Sequence, residues 1–328
     1  MPEILRVEHL RKYYKNNSFY AVDDISFNVQ RGEVFSLVGE SGCGKTTTGR
    51  SIIGLNKITG GKIYFKDKLV NAGSYGISDK REARKILDEA KNANKEWKNQ
   101  YGELLTTKVQ MIFQDPSTSL NPRMTVREIV SEGLRVKGEK NEKIISEKVS
   151  EALLGVGLLP EYMDRYPHEF SGGQKQRIGI ARALIMNPEV IIADEPVSAL
   201  DVSIKAQIIN LLNELRKKYS LTIVFIAHDL SVIKYFSDRI AVMYYGKIVE
   251  LAASEELFKN PLHPYTKSLL SAIPLPDPEY EKSRTRIIYN PKECHDYTVD
   301  KPEMKEIVSG HFVFCNNREE LLYKNMLS

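Results

Sequence analysis

The sequence predicts an α/β fold built around a glycine-rich loop, on three observations. Short apolar runs typical of buried strands alternate with amphipathic helical stretches. A glycine-rich loop joins the strand predicted over 33–38 to the helix predicted from Lys45 to Leu55. Two later apolar runs end in carboxylates and in a histidine, at the carboxyl ends of strands where α/β proteins bind ligands.

Composition sets the class of protein. The chain has 328 residues, 42% of them hydrophobic, which is enough for one large domain or two smaller units. A net charge of +4 from 47 basic and 43 acidic residues is too small and too dispersed to indicate a nucleic-acid partner. We expect neither a signal peptide nor a membrane span, because residues 1–6 are polar and no run approaches 18 apolar residues. Three scattered cysteines favour a reducing compartment.

The loop at residues 39–47 has the form G-x-x-x-x-G-K-[ST]. Its glycines let successive backbone N–H groups face phosphate oxygens, while the lysine and a hydroxyl reach the terminal phosphates and a magnesium ion. The helix that follows places its positive end under the phosphates. The sequence therefore predicts a nucleotide site formed by Gly39, Glu40, Ser41, Gly42, Cys43, Gly44, Lys45, Thr46 and Thr47.

Upstream of the loop, alternation predicts two strands, over 4–10 and 20–29, with a bend at Asp23 and Asp24 in the second. Tyr13 and Tyr14 lie between the strands. An aromatic ring just before a phosphate loop can stack on an adenine base, but a tyrosine packed into the hydrophobic surface explains the pattern equally well.

After a strand predicted over 62–66, the composition from Ser78 to Tyr101 becomes rich in Lys, Glu, Arg and Asn. Apolar residues recur there at helical spacing: Leu87, Ala90, Ala93, Trp97 and Tyr101. This predicts an inserted charged helix, about 78–103, that packs by one stripe, with a partner contact as the alternative. The strand that follows, 108–113, ends at Gln114, whose amide can bond a metal-bound water or a backbone group.

A helical block is predicted over about 115–178. Thr125 and Glu128 form a capping box that opens a helix to about Arg135, and a second helix covers 142–154. Further along, Ser171 precedes two glycines and a helix that runs to about 186. A serine and two glycines at a helix start form a second potential anion site.

Two strands carry the remaining polar groups. The strand over 190–194 ends in Asp194 and Glu195; side chains alternate along a strand, so one carboxylate can hold magnesium while the other orients water. The strand over 221–227 ends at His228, where an imidazole can sense a γ-phosphate. A hairpin over 240–251 precedes a proline-rich boundary, and the tail from Glu281 is polar with weak periodicity, which predicts partial order.

Taken together, these motifs resemble the ATPases of ABC transporters over nearly the whole chain. The resemblance implies a P-loop core with an antiparallel β subdomain, an ATPase domain over 1–258 and a C-terminal extension over 259–328. It assigns Tyr14, rather than Tyr13, to adenine stacking, and it implies ATP and Mg²⁺ as cofactors with Thr46, Gln114 and Asp194 at the metal. The other implied roles are a Walker A loop at 39–46, a Q-loop at Gln114, a signature at Ser171, Gly172, Gly173 and Gln174, a catalytic Glu195, a D-loop ending at Asp201, and a switch His228.

A narrower resemblance is carried by residues 114–124 and 260–266. Both stretches look like the ATP-binding subunits of bacterial oligopeptide, dipeptide and nickel importers. That family implies a peripheral subunit on the cytoplasmic face of the membrane, with two permeases, a second ATPase that is a copy or a paralogue, and an extracytoplasmic binding protein. Peptides are preferred to nickel by family frequency only. A soluble ABC ATPase of translation or DNA repair is the remaining alternative, disfavoured by the single cassette and short insert.

The tail departs from this family, in which four cysteines often suggest an iron–sulfur cluster. Only Cys294 and Cys315 are present, so four-thiolate ligation within the tail is excluded. With His295 and His311 they leave a zinc site as an alternative to a plain tail, although adjacent ligands are sterically awkward. Cys43 lies where the backbone N–H does the binding, so we expect no catalytic role for its thiol.

Overall fold

Two β-sheets form the frame of the molecule. The computed structural model describes residues 2–14, 19–101, 107–273 and 286–327, without the side chains of residue 94 and residues 97–101. In chain order the strands are β1 Glu3–Tyr14, β2 Phe19–Gln30, β3 Val34–Val38, β4 Gly60–Phe65, β5 Lys68–Ser74, β6 Val109–Ile112, β7 Val190–Asp194, β8 Thr222–Ala227, β9 Arg239–Tyr244, β10 Lys247–Ala253, β11 Glu303–Val308 and β12 His311–Cys315.

Helices cover the sheets and form a block of their own. They are α1 Lys45–Ile52, α2 Lys80–Tyr101, α3 Pro116–Ser119, α4 Val126–Val136, α5 Glu142–Gly155, α6 Gly172–Leu184, α7 Val202–Tyr219, α8 Leu230–Ile233, α9 Ser254–Lys259, α10 Pro264–Ser271, α11 Pro291–Cys294 and α12 Asn317–Leu327. Two 3₁₀ turns, Pro160–Asp164 and Pro167–Glu169, lie between α5 and α6. Sheets and helices together confirm the predicted α/β class.

The larger sheet sets the geometry of the site. Its strand order is β11-β12-β10-β9-β3-β8-β7-β6, and the five strands from β9 to β6 are parallel. Every residue of β3, β7 and β8 is buried, as expected for parallel strands covered on both faces. Because parallel strands end at the same edge, the phosphate loop, Gln114, Asp194 and His228 converge there.

The smaller sheet is antiparallel, in the order β2-β1-β4-β5. The bend predicted in β2 lies at Asp24, which adopts a φ of 63° beside a register shift. Strand β5 was not predicted, because its residues 68–74 include lysine, asparagine, glycine and serine rather than an apolar alternation.

Helix α2 packs on β5 and is the inserted charged helix. Among the side chains of this helix that the structure describes, those of Ile86, Ala90 and Ala93 are buried, and Ile86 and Ala90 form a small core with Leu69 of β5. Leu87 is exposed, so the prediction that it belongs to the buried stripe is wrong; Ile86, one position earlier, faces the sheet instead. The side chains of Trp97 and Tyr101 lie outside the described residues.

The helical block packs around α6. Thr125 and Glu128 form the predicted capping box at the start of α4. Buried residues of α4, α5 and α6 share one core, which includes Ile129, Val149 and Ile178. Arg182 of α6 donates a 2.8 Å hydrogen bond to the carbonyl of Ser119, at the end of α3. The segment after Gln114 is therefore tied to the helix that follows Ser171.

The tail is more ordered than the sequence predicts. From residue 286 to 327 it forms α11, β11, β12 and α12, and β12 pairs with β10 to lengthen the main sheet. A small core joins it to the chain before it, formed by Leu262, Ile307, Val313, Cys315 and Tyr323. The strands are five and six residues long, too short to give a clear periodicity. Pro274, Pro276 and Pro278 of the predicted boundary lie outside the described residues.

Candidate nucleotide site

The phosphate loop joins β3 to α1 and depends on glycine at two close contacts. Gly39 has a φ of 149° and Gly44 a φ of 106°. A Cβ at Gly39 would lie 2.1 Å from the carbonyl oxygen of Met243, and one at Gly44 would lie 2.2 Å from that of Ala21. Only glycine fits at both positions, so the loop is held tightly between β9 and β2.

Lys45 turns back over the loop that precedes it. Its Nζ donates to the carbonyl oxygens of Gly39 at 2.7 Å and Glu40 at 2.9 Å. The side chain is only 3% exposed, and its Nζ lies 3.9 Å from Glu195 Oε1. A buried ammonium held by carbonyls and close to a carboxylate gives this end of the loop a fixed positive charge.

Thr46 and Asp194 meet across the site, where the Thr46 hydroxyl donates to Asp194 Oδ1 at 2.7 Å. Asp194 Oδ2 is buried and has no hydrogen-bond partner among the described residues. Burial raises the pKa of Asp194, although the Thr46 hydrogen bond opposes the shift. An unpaired buried carboxylate oxygen beside a hydroxyl fits a hard divalent cation such as Mg²⁺, which prefers oxygen ligands.

Glu195 is the centre of a second set of contacts. Its Oε2 accepts a 3.0 Å hydrogen bond from Gln114 Nε2 and lies 3.3 Å from His228 Nδ1. Glu195 has a φ of 43°, in the left-handed region that residues with side chains rarely adopt. The structure thus brings Lys45, Gln114, Glu195 and His228 together.

The two carboxylates take different partners, as the sequence predicts, but for another reason. Asp194 ends β7, and the left-handed backbone of Glu195 breaks the alternation that a strand would impose. The turn, rather than strand geometry, directs Asp194 to Thr46 and Glu195 to Gln114 and His228.

The signature segment, residues 171–174, begins helix α6. Ser171 caps α6 in a capping box with Gln174, and within the described chain its side chain bonds only there. Ser171 and Gly172 are exposed, and a Cβ at Gly173 would lie 2.7 Å from Ile204 Cγ2 of α7. Asp201, at the start of α7, is also exposed. This surface is therefore free to meet another molecule.

The two tyrosines upstream of the loop differ in environment. Tyr13 is 8% exposed and its hydroxyl donates to Asp23 at 2.8 Å, whereas Tyr14 is 38% exposed. The Lys12 ammonium lies 4.5 Å from the centre of the Tyr14 ring. Of the two rings, only that of Tyr14 presents substantial surface to a ligand.

All three cysteines are free thiols; Cys43 and Cys315 are buried and Cys294 is exposed. Burial raises the pKa of the Cys43 thiol despite the nearby Lys45 ammonium, so the thiol stays protonated. No cluster of three or more His, Cys, Asp or Glu side chains suited to a metal occurs among residues 286–327 or elsewhere in the described chain. His295 instead bonds Glu319, and His311 bonds Glu250.

Sequence reasoning missed one residue at the loop. The hydroxyl of Tyr265, on α10, accepts a 3.0 Å hydrogen bond from the backbone N–H of Glu40. The stretch around Tyr265 stands out in the sequence only as a family marker, and nothing in its spacing indicates a contact 225 residues away. No helix in the described ranges has the length and apolar character needed to cross a bilayer.

Comparison with known families agrees with this geometry. Residues 22–198 match the family model described as ABC transporter, and residues 249–298 match that of the oligopeptide/dipeptide transporter C-terminal region. The chain is 52% identical over 97% of its length to the oligopeptide transport ATP-binding protein OppF of Bacillus subtilis (strain 168), of which it covers 97%. It is 49% identical over 94% of its length to the dipeptide transport ATP-binding protein DppF of Lactococcus lactis subsp. cremoris, of which it covers 92%.

Solved structures give the same answer. One neighbour is cbiO1 from Clostridium perfringens, part of the transporter complex cbiONQ, with a TM-score of 0.63 and 29% identity over 79% of this chain and 92% of that one. Another is the ATP-binding cassette MJ0796 in a dimeric, post-hydrolysis state with ADP and Pi, with a TM-score of 0.61 and 29% identity over 76% of this chain and 99% of that one. The chain therefore belongs to the ABC transporter family, as one of its ATP-hydrolysing subunits.

Proposed function

We propose that this chain is the ATPase motor of a bacterial importer of oligopeptides or dipeptides. The cargo is inferred from the named relatives and from the C-terminal region shared with peptide transporters. The proposed partners are two membrane permeases, a second ABC ATPase and, indirectly, an extracytoplasmic binding protein. We place the chain on the cytoplasmic face of the membrane, attached through the permeases.

The proposal for the chemistry depends on one observation, the convergence of Glu195 with Lys45, Gln114 and His228. Glu195 would orient the attacking water, and Lys45 with the loop N–H groups would hold the β- and γ-phosphates. His228 would contact the γ-phosphate, and Tyr14 would stack on the adenine. Thr46 and Asp194, with Gln114, would hold Mg²⁺, which when bound neutralises phosphate charge.

The exposed signature supports a head-to-tail pair of ATPases. Ser171 and the glycines after it, with Asp201, would complete the site of a neighbouring subunit. Gln114 is placed to couple the site to the helical block, because Glu195 accepts its amide while Arg182 ties the segment after it to α6. Closure of the pair on ATP would then move the helical blocks and the permeases docked beside them.

We expect Glu195→Gln to bind ATP with parental affinity but to lose at least about a hundredfold in turnover, because the amide cannot accept a proton from water. The measurement uses the complete transporter in proteoliposomes, following ATP hydrolysis and uptake of a labelled peptide together. Glu189→Gln is the matched control, since Glu189 pairs with Lys66 and Arg31 away from the site. Parental hydrolysis by Glu195→Gln would overturn the catalytic assignment, and uptake of nickel instead of peptide would overturn the cargo.

A further inference from the structure

The first turn of α10, which belongs to the C-terminal extension, contacts the phosphate loop. Tyr265 is 2% exposed, and its hydroxyl accepts the N–H of Glu40 at 3.0 Å. The carbonyl of the same residue, Glu40, accepts a hydrogen bond from Lys45 Nζ at 2.9 Å and one from the N–H of Cys43 at 3.3 Å. One residue of the loop thus links the tyrosine to the lysine.

Tyr265 is itself held by contacts with the extension and with β9. Its N–H donates to His263 Nδ1 at 3.1 Å, and its ring centre lies 4.4 Å from that of Tyr244 and 5.5 Å from that of Tyr289. Both the ring and the backbone of Tyr265 are therefore fixed independently of its hydroxyl.

The network continues to the last strands of the sheet. The buried carboxylate of Glu250, on β10, accepts the N–H groups of Leu262 at 2.8 Å and His263 at 3.0 Å. Glu250 Oε1 also lies 2.8 Å from Nε2 of His311, on β12. A continuous chain of bonds therefore runs from β12 through Glu250 and His263 to Tyr265 and Glu40.

We propose that Tyr265 is a positioning residue for ATP binding: its hydroxyl fixes the Glu40 peptide, and Glu40 in turn fixes the ammonium of Lys45. The extension then forms part of the wall of the nucleotide site. Glu40 is the second residue of the loop, and its N–H is donated to the Tyr265 hydroxyl. This inference rests on the proposed role of the loop in holding the ATP phosphates.

The test is Tyr265→Phe in the full-length chain, with the Kd for ATP, the kcat and KM for hydrolysis, and the urea midpoint measured on one preparation. The ring and its packing are kept, so we expect the urea midpoint to stay close to the parental value. Loss of one hydrogen bond should raise Kd and KM for ATP by about three- to tenfold. We expect kcat within about twofold, since ground-state binding is what weakens.

The matched control is Tyr289→Phe, in the same ring cluster; among the residues that the structure describes, the Tyr289 hydroxyl has no hydrogen bond to the loop. It should keep the parental KM. A parental KM in Tyr265→Phe, or an equal rise in both variants, would overturn the inference. A parent chain that binds no ATP would instead refute the proposed role of the loop, so the two failures are distinguishable.

A second measurement does not depend on a variant folding. Hydrogen exchange of the Glu40 amide in the parent chain should be slowed by its bond to Tyr265, relative to Ser41, which is exposed. Exchange of Glu40 as fast as that of Ser41 would contradict the proposal.

Discussion

Two adjacent residues at the end of β7, Asp194 and Glu195, contact different groups of the site. Asp194 faces Thr46 with one buried oxygen unpaired, and Glu195 faces Gln114 and His228. The sequence predicts that the two carboxylates act differently, because the motif and its position after an apolar strand are visible in it. The positive φ of Glu195 is not visible, since only the packed turn imposes a conformation that a glutamate disfavours by about 1–3 kcal/mol.

A single residue, His263, makes the stability of the folded chain depend on pH. Burial, with smaller electrostatic contributions from His295 and Lys267, lowers the pKa of His263 from 6.5 to about 3, and its Nδ1 accepts the Tyr265 N–H. Below about pH 6.5 the unfolded chain therefore binds a proton at His263 that the folded chain does not bind. The free energy of unfolding falls as the pH falls through this range.

We expect protonation of His263 in the unfolded chain to lower the free energy of unfolding by about 2 kcal/mol between pH 7 and pH 5. Urea unfolding is measured for the parent and for His263→Asn, which keeps an acceptor at the start of α10. Because the two chains share all other titratable groups, the difference between them gives the contribution of His263. The pH slope should be shallower in the variant by that amount. Equal slopes would mean that His263 binds a proton as readily in the folded chain as in the unfolded chain.

Elements were predicted where periodicity is strong. Helices α4 and α5, the parallel strands and the hairpin of β9 and β10 were found within a few residues of their bounds, because their apolar patterns and caps are local. Strand β5 was missed because pairing with β4, not its own residues, makes it a strand. The sequence pattern likewise does not predict how elements pack against one another. The contact of α6 with α7 at Gly173 is one example.

Alanine substitutions at two glycines of α6 should change the free energy of unfolding in opposite directions. We expect Gly173→Ala to lower the free energy of unfolding by about 1–3 kcal/mol, because the new methyl would meet the stiff, branched Ile204. Gly179→Ala, where nothing lies within 4 Å of the added Cβ, should raise it by up to about 1 kcal/mol. Urea denaturation measures both, and a neutral Gly173→Ala would show that α7 moves away without cost.

At the scale of the whole molecule, one sheet joins the C-terminal extension to the ATPase domain. The sequence indicates a boundary near residue 260, but not that the chain beyond it returns to pair with β10. Long-range pairing of this kind depends on the neighbouring strand, and β12, with five residues, is too short to indicate it. The contact of Tyr265 with Glu40 could not be predicted for the same reason.

Because of the shared sheet, we expect the chain to unfold as one unit. Val313→Ala, at a fully buried site on β12, should lower the free energy of unfolding by about 1–3 kcal/mol and keep a single transition. Val299→Ala is the control, since Val299 is 92% exposed and should change stability by less than about 0.5 kcal/mol. An early separate transition in Val313→Ala, seen by circular dichroism, would show that the extension unfolds independently.

The pairing of β12 with β10 also bears on the risk of edge-to-edge aggregation. Six of the seven residues of β10 are wholly or partly buried, and without a neighbour this strand would present an apolar edge ready to pair with another chain. The strand at that end of the sheet is β11, with exposed Glu303, Met304 and Glu306. Charged side chains on an outer strand oppose edge-to-edge association. The extension thus covers the edge of β10 and places a strand with exposed charged side chains at the end of the sheet.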